Sequence, residues 1–493
     1  MSRINTNVSA LISTRILNDN NASMNKSLEK LSTGLRINRG SDDPAGLIAS
    51  ENIRKQIAGT ETGIKNANRA INVVGTAEGG LSEISDMLIE VQSLLGEAAN
   101  SGGMSQDEID ANQQQVDSIL NSIDRIANST EFEGMKLLNG NKAYTASATT
   151  ANAARVSDQT INAAKLIDGA TMAVTVDITT SAHNGVVRIS GDGGAVKVSG
   201  TGGADGGSIT LQIGSSRGTT QLTFADQTAF TAMSTAINAV TEITGVSAKI
   251  SGGELTLHSV DFGSDAYVSV EVLNETLTGT TALDFVGGSA LSTGSSLKDY
   301  GQDAVANING TAATADGKKL TIRTAMLDAE IELTAAAAQQ TAADYVFNIT
   351  GGGADFSIGS SVDAIGLESL GIQDVSSASL GDSNGKINTL KSGGANALSG
   401  TNLYTAQRIV DASIKDISKL RGRLGSFQKN TLEKTINSLT ITNENLYAAE
   451  SAIRDTDFAS ETAKLTRSQI LVQSSTNVLA QANQAPQNVL SLL

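Results

Sequence analysis

The sequence predicts an α+β multidomain protein in which long helical ends enclose a β-rich middle. Residues 1–140 and 401–493 are rich in Ile, Leu, Asn, Ser and Gln, and their apolar residues have helical spacing. Residues 141–400 are rich in Gly, Thr, Ala and Val and contain short alternating apolar runs. Aromatic residues make up only 3% of the chain and Trp is absent, so the cores must be aliphatic. Such cores suit narrow helical interfaces and thin sheets.

The helical ends carry apolar stripes whose residues are spaced three and four apart, as in a coiled coil. The front stripe contains Met24, Leu28, Leu31, Leu35, Ile64, Ile71, Leu81, Ile84, Leu88, Val91, Val116, Ile119 and Ile123. The back stripe contains Ile417, Leu420, Leu424, Phe427, Leu465, Val472 and Leu479. An ordinary helical bundle would show the same spacing. A helix over residues 45–100 would be about 80 Å long, and its stripe is buried only by partner helices along its length. We therefore expect a long antiparallel coiled-coil bundle formed by both ends.

Turn residues divide these helices. Asp42 and Asp43 precede Pro44, which is tolerated in the first turn of a helix but not in its interior, so we expect an inter-domain turn there. Ser105 and Glu108 have the spacing of a capping box, which predicts the start of another helix.

The middle zone predicts two small α+β modules, at about residues 165–285 and 297–380. Strand candidates occur at residues 186–189, 209–213, 222–224, 246–250, 255–257, 268–272, 304–308, 319–323, 331–333 and 345–349. Helical stretches are expected near residues 228–240 and 335–343. The shared order of strands, helix and strands indicates a weak internal repeat.

The charge of the chain is acidic and uneven. The formal net charge is −16, and residues 141–400 alone contain 25 acidic and 13 basic residues. This balance argues against binding nucleic acid or an anionic membrane surface. No run approaches the ~20 apolar residues that a membrane span requires, and the N-terminus lacks the apolar core of a signal peptide. The absence of Cys suits a protein that leaves the cell, although proteins that stay inside also lack it.

The extreme ends are expected to be incomplete without neighbours. Residues 4–35 and 455–493 combine one apolar stripe with much Asn, Ser, Thr and Gln. Two such helices paired alone would leave apolar surface in water, so we expect them to order when copies of the chain surround them. A head-to-tail contact of this kind that does not close into a ring produces a helical filament.

Both ends contain several long sequence motifs. They are residues 4–11 (INTNVSAL), 28–38 (LEKLSTGLRIN), 41–46 (SDDPAG), 71–81 (INVVGTAEGGL) and 478–493 (VLAQANQAPQNVLSLL). In these motifs and in their order, both ends resemble bacterial flagellin, and the resemblance covers about 140 residues at the front and about 90 at the back. The middle zone is only loosely similar, although residues 301–310 (GQDAVANING) resemble a short motif of flagellin and filament-cap insertions.

The resemblance implies a structural subunit that polymerises into the bacterial flagellar filament and gives motility. It implies a core domain of residues 1–44 with 455–493, a surrounding tube of residues 45–142 with 400–454, and a surface region at 143–399. The residues expected to pack the polymer core are Ile4, Val8, Leu11, Met24, Leu28, Leu31, Leu35, Leu465, Val472, Leu479, Val489, Leu490, Leu492 and Leu493. The remaining stripe residues are expected to pack the tube helices.

The resemblance also implies a location and partners. Flagellins leave the cell unfolded through the flagellar type III apparatus, and a flagellin export chaperone holds the C-terminal helix beforehand. Hook-associated junction proteins and a filament-cap protein adjoin the polymer. In many flagellins, basic residues in the segment aligned with residues 89–96 contact an innate immune receptor. Here Glu90 and Gln92 stand where Arg is typical, while Leu94 is retained, so we expect weak receptor activation.

An enzyme is the main alternative class, and the sequence argues against it. A metalloprotease site needs two His one helical turn apart with a Glu between them, and the two His residues, His183 and His258, are far apart in the chain. The lack of Cys excludes thiol catalysis and thiolate metal sites. Asp42 and Asp43 beside Pro44 fit a turn better than a paired acid site. We therefore expect no catalytic, metal or cofactor site. A hook–filament junction protein, and an adhesive or glycosylated middle zone, remain alternatives.

Overall fold

The computed structural model describes residues 6–490, with gaps at 101, 167–169, 191–197, 200–206, 226–227, 276–279, 282–283, 286–288, 291–293, 341–343, 362, 364–365, 383–384 and 399–401. The chain forms two compact units. The first comprises Met1–Ala70, Ser357–Gly366 and Lys429–Leu493, and the second comprises Ile71–Phe356 and Leu367–Gln428. Helical ends and a β-rich middle confirm the predicted fold class.

The described part of the helical ends contains six long helices. They are α1 (Val8–Thr33), α2 (Pro44–Ala98), α3 (Gln106–Ser129), α4 (Leu403–Ser426), α5 (Glu433–Arg454) and α6 (Phe458–Leu490). Pro44 is the first residue of α2, and the carboxylate of Asp43 accepts a hydrogen bond from the N–H of Gly46 at 2.9 Å. The capping box that begins α3 is confirmed, since Ser105 and Glu108 each accept a hydrogen bond from the other's backbone N–H.

In the first unit, the chain turns after α1 and returns beside itself before α6. Gly34 ends α1 with a left-handed φ of +73°. Leu35 then forms an isolated antiparallel bridge with Asp455. Gly59 of α2 lies so close to a loop of the same unit that a Cβ there would be 2.2 Å from the carbonyl oxygen of Ser360. Only Gly allows this approach.

The helices of the second unit bury a continuous aliphatic core. Gln92 of α2 donates to the carboxylate of Asp411 on α4 at 2.8 Å, which aligns these two helices. Asp124 of α3 accepts hydrogen bonds from the N–H and hydroxyl of Ser377, and so holds the loop before α4. The fully buried side chains of these helices include Val74, Leu81, Ile84, Leu88, Val91, Val116, Leu120, Ile123, Ile409, Val410, Ile417 and Leu424. A π-helical turn, Phe427–Leu432, follows α4.

Two antiparallel sheets form an inner β module. The five-stranded sheet has the order Thr311–Ala312, Val305–Ile308, Met172–Thr180, Asp344–Gly351 and Thr145–Ala148. The four-stranded sheet has the order Thr314–Asp316, Lys319–Arg323, Leu327–Leu333 and Val156–Ala164. A short helix, Ala335–Ala338, joins the sheets. Alternate strand residues fill a core around Tyr345 and Phe347, whose ring centroids are 5.3 Å apart.

Two further antiparallel sheets form an outer β module. One has the order Val246–Ser251, Glu254–Ser259, Val186–Ser190, Asp284–Phe285 and Ser289–Ala290. The other has the order Ser296–Tyr300, Tyr267–Glu275, Ser208–Gly214 and Thr219–Ala225. The helices Phe230–Ala239 and Thr241–Thr244 belong to this module, and Phe230, Met233 and Ile237 enter its core.

Smaller elements complete the described structure. They are the strand pairs Glu131–Phe132 with Met135–Lys136, Val198–Ser199 with Thr280–Thr281, Ala354–Ser357 with Leu367–Leu370, and Gly381–Asp382 with Gly385–Lys386, together with the α-helical turn Thr150–Ala153 and the 3₁₀ turn Ile387–Leu390.

The strand pairing changes the expected module boundaries. The expected first module began near residue 165, but Met172–Thr180 lies between Val305–Ile308 and Asp344–Gly351 in one sheet. The inner module is therefore built from two stretches of chain, with the outer module inserted between them. Local alternation predicts a strand but not its distant neighbours, which explains the difference.

The two modules share a partial repeat. In each, a strand of one sheet is followed by strands of the opposite sheet, then by a helix, and then by a strand back in the first sheet. The opposite-sheet strands are Ser208–Gly214 and Thr219–Ala225 in the outer module, and Thr314–Asp316, Lys319–Arg323 and Leu327–Leu333 in the inner module. In the outer module this run begins with Val186–Ser190, and in the inner module it begins with Val305–Ile308. The expected internal repeat therefore has a counterpart in the topology. Among the described helices, none has the length and apolarity of a membrane span.

Candidate functional site

The pair of terminal helices, α1 and α6, is the main candidate site, because the sequence predicts that these helices carry polymer contacts. Asn7 donates from Nδ2 to the carbonyl of Ala482 at 2.8 Å, and Ser27 donates from Oγ to Oε1 of Glu461 at 2.7 Å. Residue numbers thus rise along α1 as they fall along α6. The two helices are antiparallel, and the start of α1 lies beside the Ala482 region of α6.

The most deeply buried residues of α1 and α6 are polar. Ser13, Asn20 and Ser27 recur every seven residues on α1, and Glu461 and Ser475 are two such repeats apart on α6. Ser27 and Glu461 are each only 5% exposed, and Ser13 and Ser475 are also buried. Asn20 donates from Nδ2 to the hydroxyl of Ser475 at 2.7 Å. We call these five residues the polar seam.

Glu461 is the charged member of the polar seam, and both of its oxygens have partners. Oε1 accepts a hydrogen bond from the hydroxyl of Ser27, and Oε2 accepts a hydrogen bond from Nζ of Lys464 at 3.1 Å. Burial by itself would raise the pKa of Glu461, but these two hydrogen bonds and the charges of Lys464 and Lys30 outweigh it and lower the pKa. The carboxylate therefore stays ionised inside the pair.

The apolar residues of the terminal pair lie outside the polar seam. Leu11 is 63% exposed and Ile470 is 64% exposed. Large exposed apolar surfaces on a subunit mark sites of association. We name seven of these exposed residues the apolar flank, namely Val8, Leu11, Ile12, Ile16, Ile470, Leu471 and Val478; Leu28 and Phe458 of the same helices are also exposed.

The structure separates the residues that the sequence assigned to the polymer core. Val8, Leu11 and Leu28 are exposed. A second group is half-buried, namely Met24, Leu31, Leu35, Leu465, Val472 and Leu479. Val489 and Leu490 lie in α6, with side chains outside the described residues, as are Ile4, Leu492 and Leu493. The sequence reasoning missed the polar seam, although the seven-residue spacing of Ser13, Asn20 and Ser27 was a signal for it.

The residues assigned to the tube lie mostly inside the subunit. Fully buried members are Leu81, Ile84, Leu88, Val91, Val116, Ile123, Ile417 and Leu424, and Leu420 is nearly so. Ile64, Ile71, Ile119 and Phe427 are half-buried. The tube residues are therefore largely buried within one chain, whereas the residues of the apolar flank are exposed.

The residues of the 42–44 turn hold backbone groups. Oδ2 of Asp42 accepts the N–H of Asn38 at 3.2 Å and that of Arg39 at 3.0 Å. The hydrogen bond from Arg39 is the main cause that lowers the pKa of Asp42. Asp43 caps α2 through Gly46. Each carboxylate thus has a structural role of its own.

The segment expected to meet an innate receptor offers little apolar contact apart from Ile89. Glu90 is exposed on α2. The amide of Gln92 is engaged with Asp411, and Leu94 is only 7% exposed. The retained Leu94 is therefore largely occupied in packing the subunit.

The two histidines do not form a common site. His183 lies in the crossing between the β modules, where its Nε2 is 2.9 Å from Oγ of Ser181. His258 lies on a strand of the outer module, and burial, with the charges of Lys249 and Arg188, lowers its pKa. In the described part of the chain, no group of three or more His, Asp or Glu side chains is arranged to hold a metal ion.

Comparison with known proteins places both helical ends in one family. Residues 4–143 match the bacterial flagellin N-terminal helical region, and residues 407–493 match the bacterial flagellin C-terminal helical region. Flagellin from Salmonella choleraesuis (strain SC-B67) is 30% identical over 540 residues, which span 99% of each chain. B-type flagellin from Pseudomonas aeruginosa is 30% identical over 514 residues, again 99% of each chain.

Solved structures add little to these sequence matches. FliC from Burkholderia pseudomallei is 15% identical with a TM-score of 0.23, and the match covers 73% of this chain and 98% of that one. The full-length sequence relatives decide the assignment. The chain belongs to the bacterial flagellins, structural proteins rather than enzymes, whose subunits polymerise into the extracellular flagellar filament.

Proposed function

We propose that the apolar flank of α1 and α6 makes the contacts between copies at the centre of the filament, so that residues 1–44 with 455–493 form its core domain. The observation that carries this proposal is an exposed row of large aliphatic side chains over a polar seam. Fully burying one such side chain contributes about 1.5–3 kcal/mol. The seven residues of the apolar flank are 44–64% exposed, so burial by neighbouring copies would add a part of that amount for each side chain.

Residues 45–142 with 400–454 form the tube around that core in this proposal. The aliphatic side chains of α3, α4 and the second half of α2 are largely buried within the subunit, so this part of the layer is folded before assembly. Residues 143–399 face outward. The net charge of −12 in the middle zone keeps neighbouring filaments apart and soluble.

Hydrogen exchange tests this division into layers. We expect backbone amides of α1 and α6 to exchange quickly in the free subunit and slowly in the filament, because neighbouring copies complete their burial. Amides of α3 and of the second half of α2 should be protected in both states. Equal protection of α1 and α6 before and after assembly would contradict the proposal.

The subunit leaves the cell unfolded through the flagellar type III apparatus, and an export chaperone holds α6 beforehand. Ile470, Leu471 and Val478 support this, because they are exposed in the subunit and give α6 an apolar surface that α1 does not cover. Co-purification with the chaperone should fail for Leu471→Asp and succeed for Ile12→Asp, a matched change on α1. Equal recovery of both variants would place the chaperone elsewhere.

Hook-associated junction proteins and the filament cap contact the two ends of the polymer. Their contacts fit the same apolar flank, because the first and last subunits lack one set of neighbours. Filaments grown in the presence of purified junction protein should have one capped end that no longer elongates, and Leu11→Asp subunits should not bind junction protein. Normal binding of junction protein by Leu11→Asp subunits would show that junction protein contacts a surface other than the apolar flank.

Recognition by the innate flagellin receptor is weak in this proposal. Glu90 is acidic and exposed, Gln92 bonds to Asp411, and Leu94 is buried. A cell reporter should respond weakly to the natural protein and more strongly to Glu90→Arg. Glu83→Arg is the matched control, because it makes the same charge change at another exposed position of α2. Full potency of the natural protein would defeat the proposal.

A further inference from the structure

We propose that the hydrogen bond between Ser27 and Glu461 fixes the register in which α1 and α6 pair, and thereby determines which apolar residues each subunit presents to its neighbours. The inference rests on the proposed role of the terminal pair in the polymer. It adds the residues that specify how the two helices align.

The residues of the polar seam contribute little apolar contact between α1 and α6. Ser13, Asn20 and Ser27 occupy the facing positions of α1, and Glu461 and Ser475 occupy those of α6. The large aliphatic residues are half-buried or exposed, and the half-buried Leu17, Met24 and Leu31 recur at the same seven-residue spacing as the seam. A slip by one heptad would therefore exchange one aliphatic side chain for another, and the hydrogen bonds of the polar seam distinguish one alignment from the next.

A charged residue in such a seam penalises the wrong register. Polar residues buried between paired helices are known to specify alignment at some cost in stability. In the observed register, Glu461 has Ser27 on one oxygen and Lys464 on the other. A slip by one heptad would take Glu461 away from Ser27. In one direction it would face the larger Asn20, and in the other it would lie beyond the end of α1 at Thr33 without a donor from that helix.

The seam extends an alignment that begins outside the helices. The bridge between Leu35 and Asp455 joins the segments that flank α1 and α6. Ser27 with Glu461 is the first of three hydrogen bonds beyond it, and Asn7 with Ala482 is the last. From Ser27 to Asn7 is about 30 Å along a helix. The bridge holds only one end of this length, so the seam must hold the rest.

The register matters because the apolar flank spans both helices. Leu11 belongs to α1 and Ile470 belongs to α6. A slip of one heptad would move one relative to the other by about 10 Å. Neighbouring subunits would then meet a different surface, and the helical lattice would not repeat.

Distance measurement between spin labels tests the proposal in assembled filaments. The chain has no Cys, so Asp19→Cys with Gln473→Cys, both at exposed positions, gives two unique labels. Labelled subunits are diluted into unlabelled protein to avoid distances between copies. We expect one narrow distance with the natural seam. Ser27→Ala with Glu461→Met, which keeps the helices paired but apolar, should broaden the distribution or add a population shifted by about 10 Å.

Ser23→Ala with Thr462→Met is the matched control, because it makes similar changes at exposed positions of the same helices. It should keep the narrow distance. An unchanged distance in the Ser27→Ala, Glu461→Met variant would overturn the register proposal. A natural-seam protein that forms no filaments would instead contradict the proposed function, so the two failures are distinguishable.

An exchange of the two side chains supplies a second test that does not depend on labels. Ser27→Glu alone places two carboxylates together, and Glu461→Ser alone removes the acceptor, so each should reduce incorporation into filaments. The double variant restores a hydroxyl–carboxylate pair in the same register and should recover most of the loss. A double variant no better than the worse single variant would overturn the proposal.

Discussion

The hydroxyl of Ser27 donates to the carboxylate of Glu461 at 2.7 Å, across a separation of 434 residues in the chain. Both side chains are buried between α1 and α6. The bond ties the two ends of the sequence together, while the large aliphatic residues beside it remain exposed. This division explains why the pair of terminal helices requires neighbouring copies to complete its burial.

Removing only one partner of this bond should weaken assembly. Ser27→Ala leaves a buried carboxylate oxygen without its donor, which costs about 1–3 kcal/mol. We expect the critical concentration for filament growth to rise about tenfold. Ser23→Ala, an exposed serine whose hydroxyl bonds only to its own helix, is the control and should leave it unchanged. Equal effects of the two variants would mean that the buried bond contributes nothing.

Filament stability should fall in acid through Glu461. Its pKa is lowered in the folded pair by the bonds from Ser27 and Lys464, against the opposing effect of burial. A lowered carboxyl pKa contributes stability above the unfolded value, which is about 4.3 for Glu, and that stability is lost as pH falls through the folded pKa. Sedimentation between pH 6 and pH 3 should show that Glu461→Gln filaments depend less on pH. If filaments of the natural protein and of Glu461→Gln dissociate at the same midpoint pH and equally steeply, Glu461 does not control filament stability in acid.

The tube helices should depend on their buried stripe. Leu88 is fully buried, whereas its neighbour Ile89 is exposed on the same helix. Leu88→Ala should lower the free energy of unfolding of the free subunit by about 2–5 kcal/mol, because a cavity remains. Ile89→Ala should change it by less than about 0.5 kcal/mol. Denaturant unfolding measures both changes in the free energy of unfolding. Equal losses for the two variants would show that Leu88 does not belong to the core of the subunit.

Two glycines of α2 should respond to alanine in opposite directions. At Gly59 a Cβ would lie 2.2 Å from the carbonyl oxygen of Ser360, so Gly59→Ala must displace that loop and destabilise the subunit. At Gly75 nothing lies within 4 Å, so Gly75→Ala should stabilise the helix by about 0.5–1 kcal/mol. Thermal unfolding of the free subunit checks both signs. A stabilising Gly59→Ala would show that the loop does not pack against α2.

Elements whose signals are local could be predicted from the sequence. Asp43 and Pro44 predict the start of α2, and Ser105 with Glu108 predicts the start of α3, because capping depends on residues three positions apart. Strands such as Ser208–Gly214 follow from alternation of apolar and polar residues. The place of Met172–Thr180 between two later strands did not follow, since sheet order depends on pairing across more than a hundred residues.

The candidate site was predicted in location but not in detail. The sequence assigns Val8, Leu11 and Leu28 to packing in the polymer core, and they are exposed in the single subunit. Small polar residues at the same seven-residue spacing face the partner helix instead. Apolar periodicity shows that a helix has partners, but it does not say whether the partner belongs to the same chain.

Seeded filament growth, followed by electron microscopy, tests most directly whether the apolar flank joins the copies. Natural subunits should extend short filament seeds, while Leu11→Asp and Ile470→Asp subunits should fail to do so. Both variants should unfold in denaturant like the natural subunit. Val260→Asp, an exposed apolar position in the outer module, is the matched control and should extend seeds normally. Extension by Leu11→Asp and Ile470→Asp at the natural rate would contradict the account.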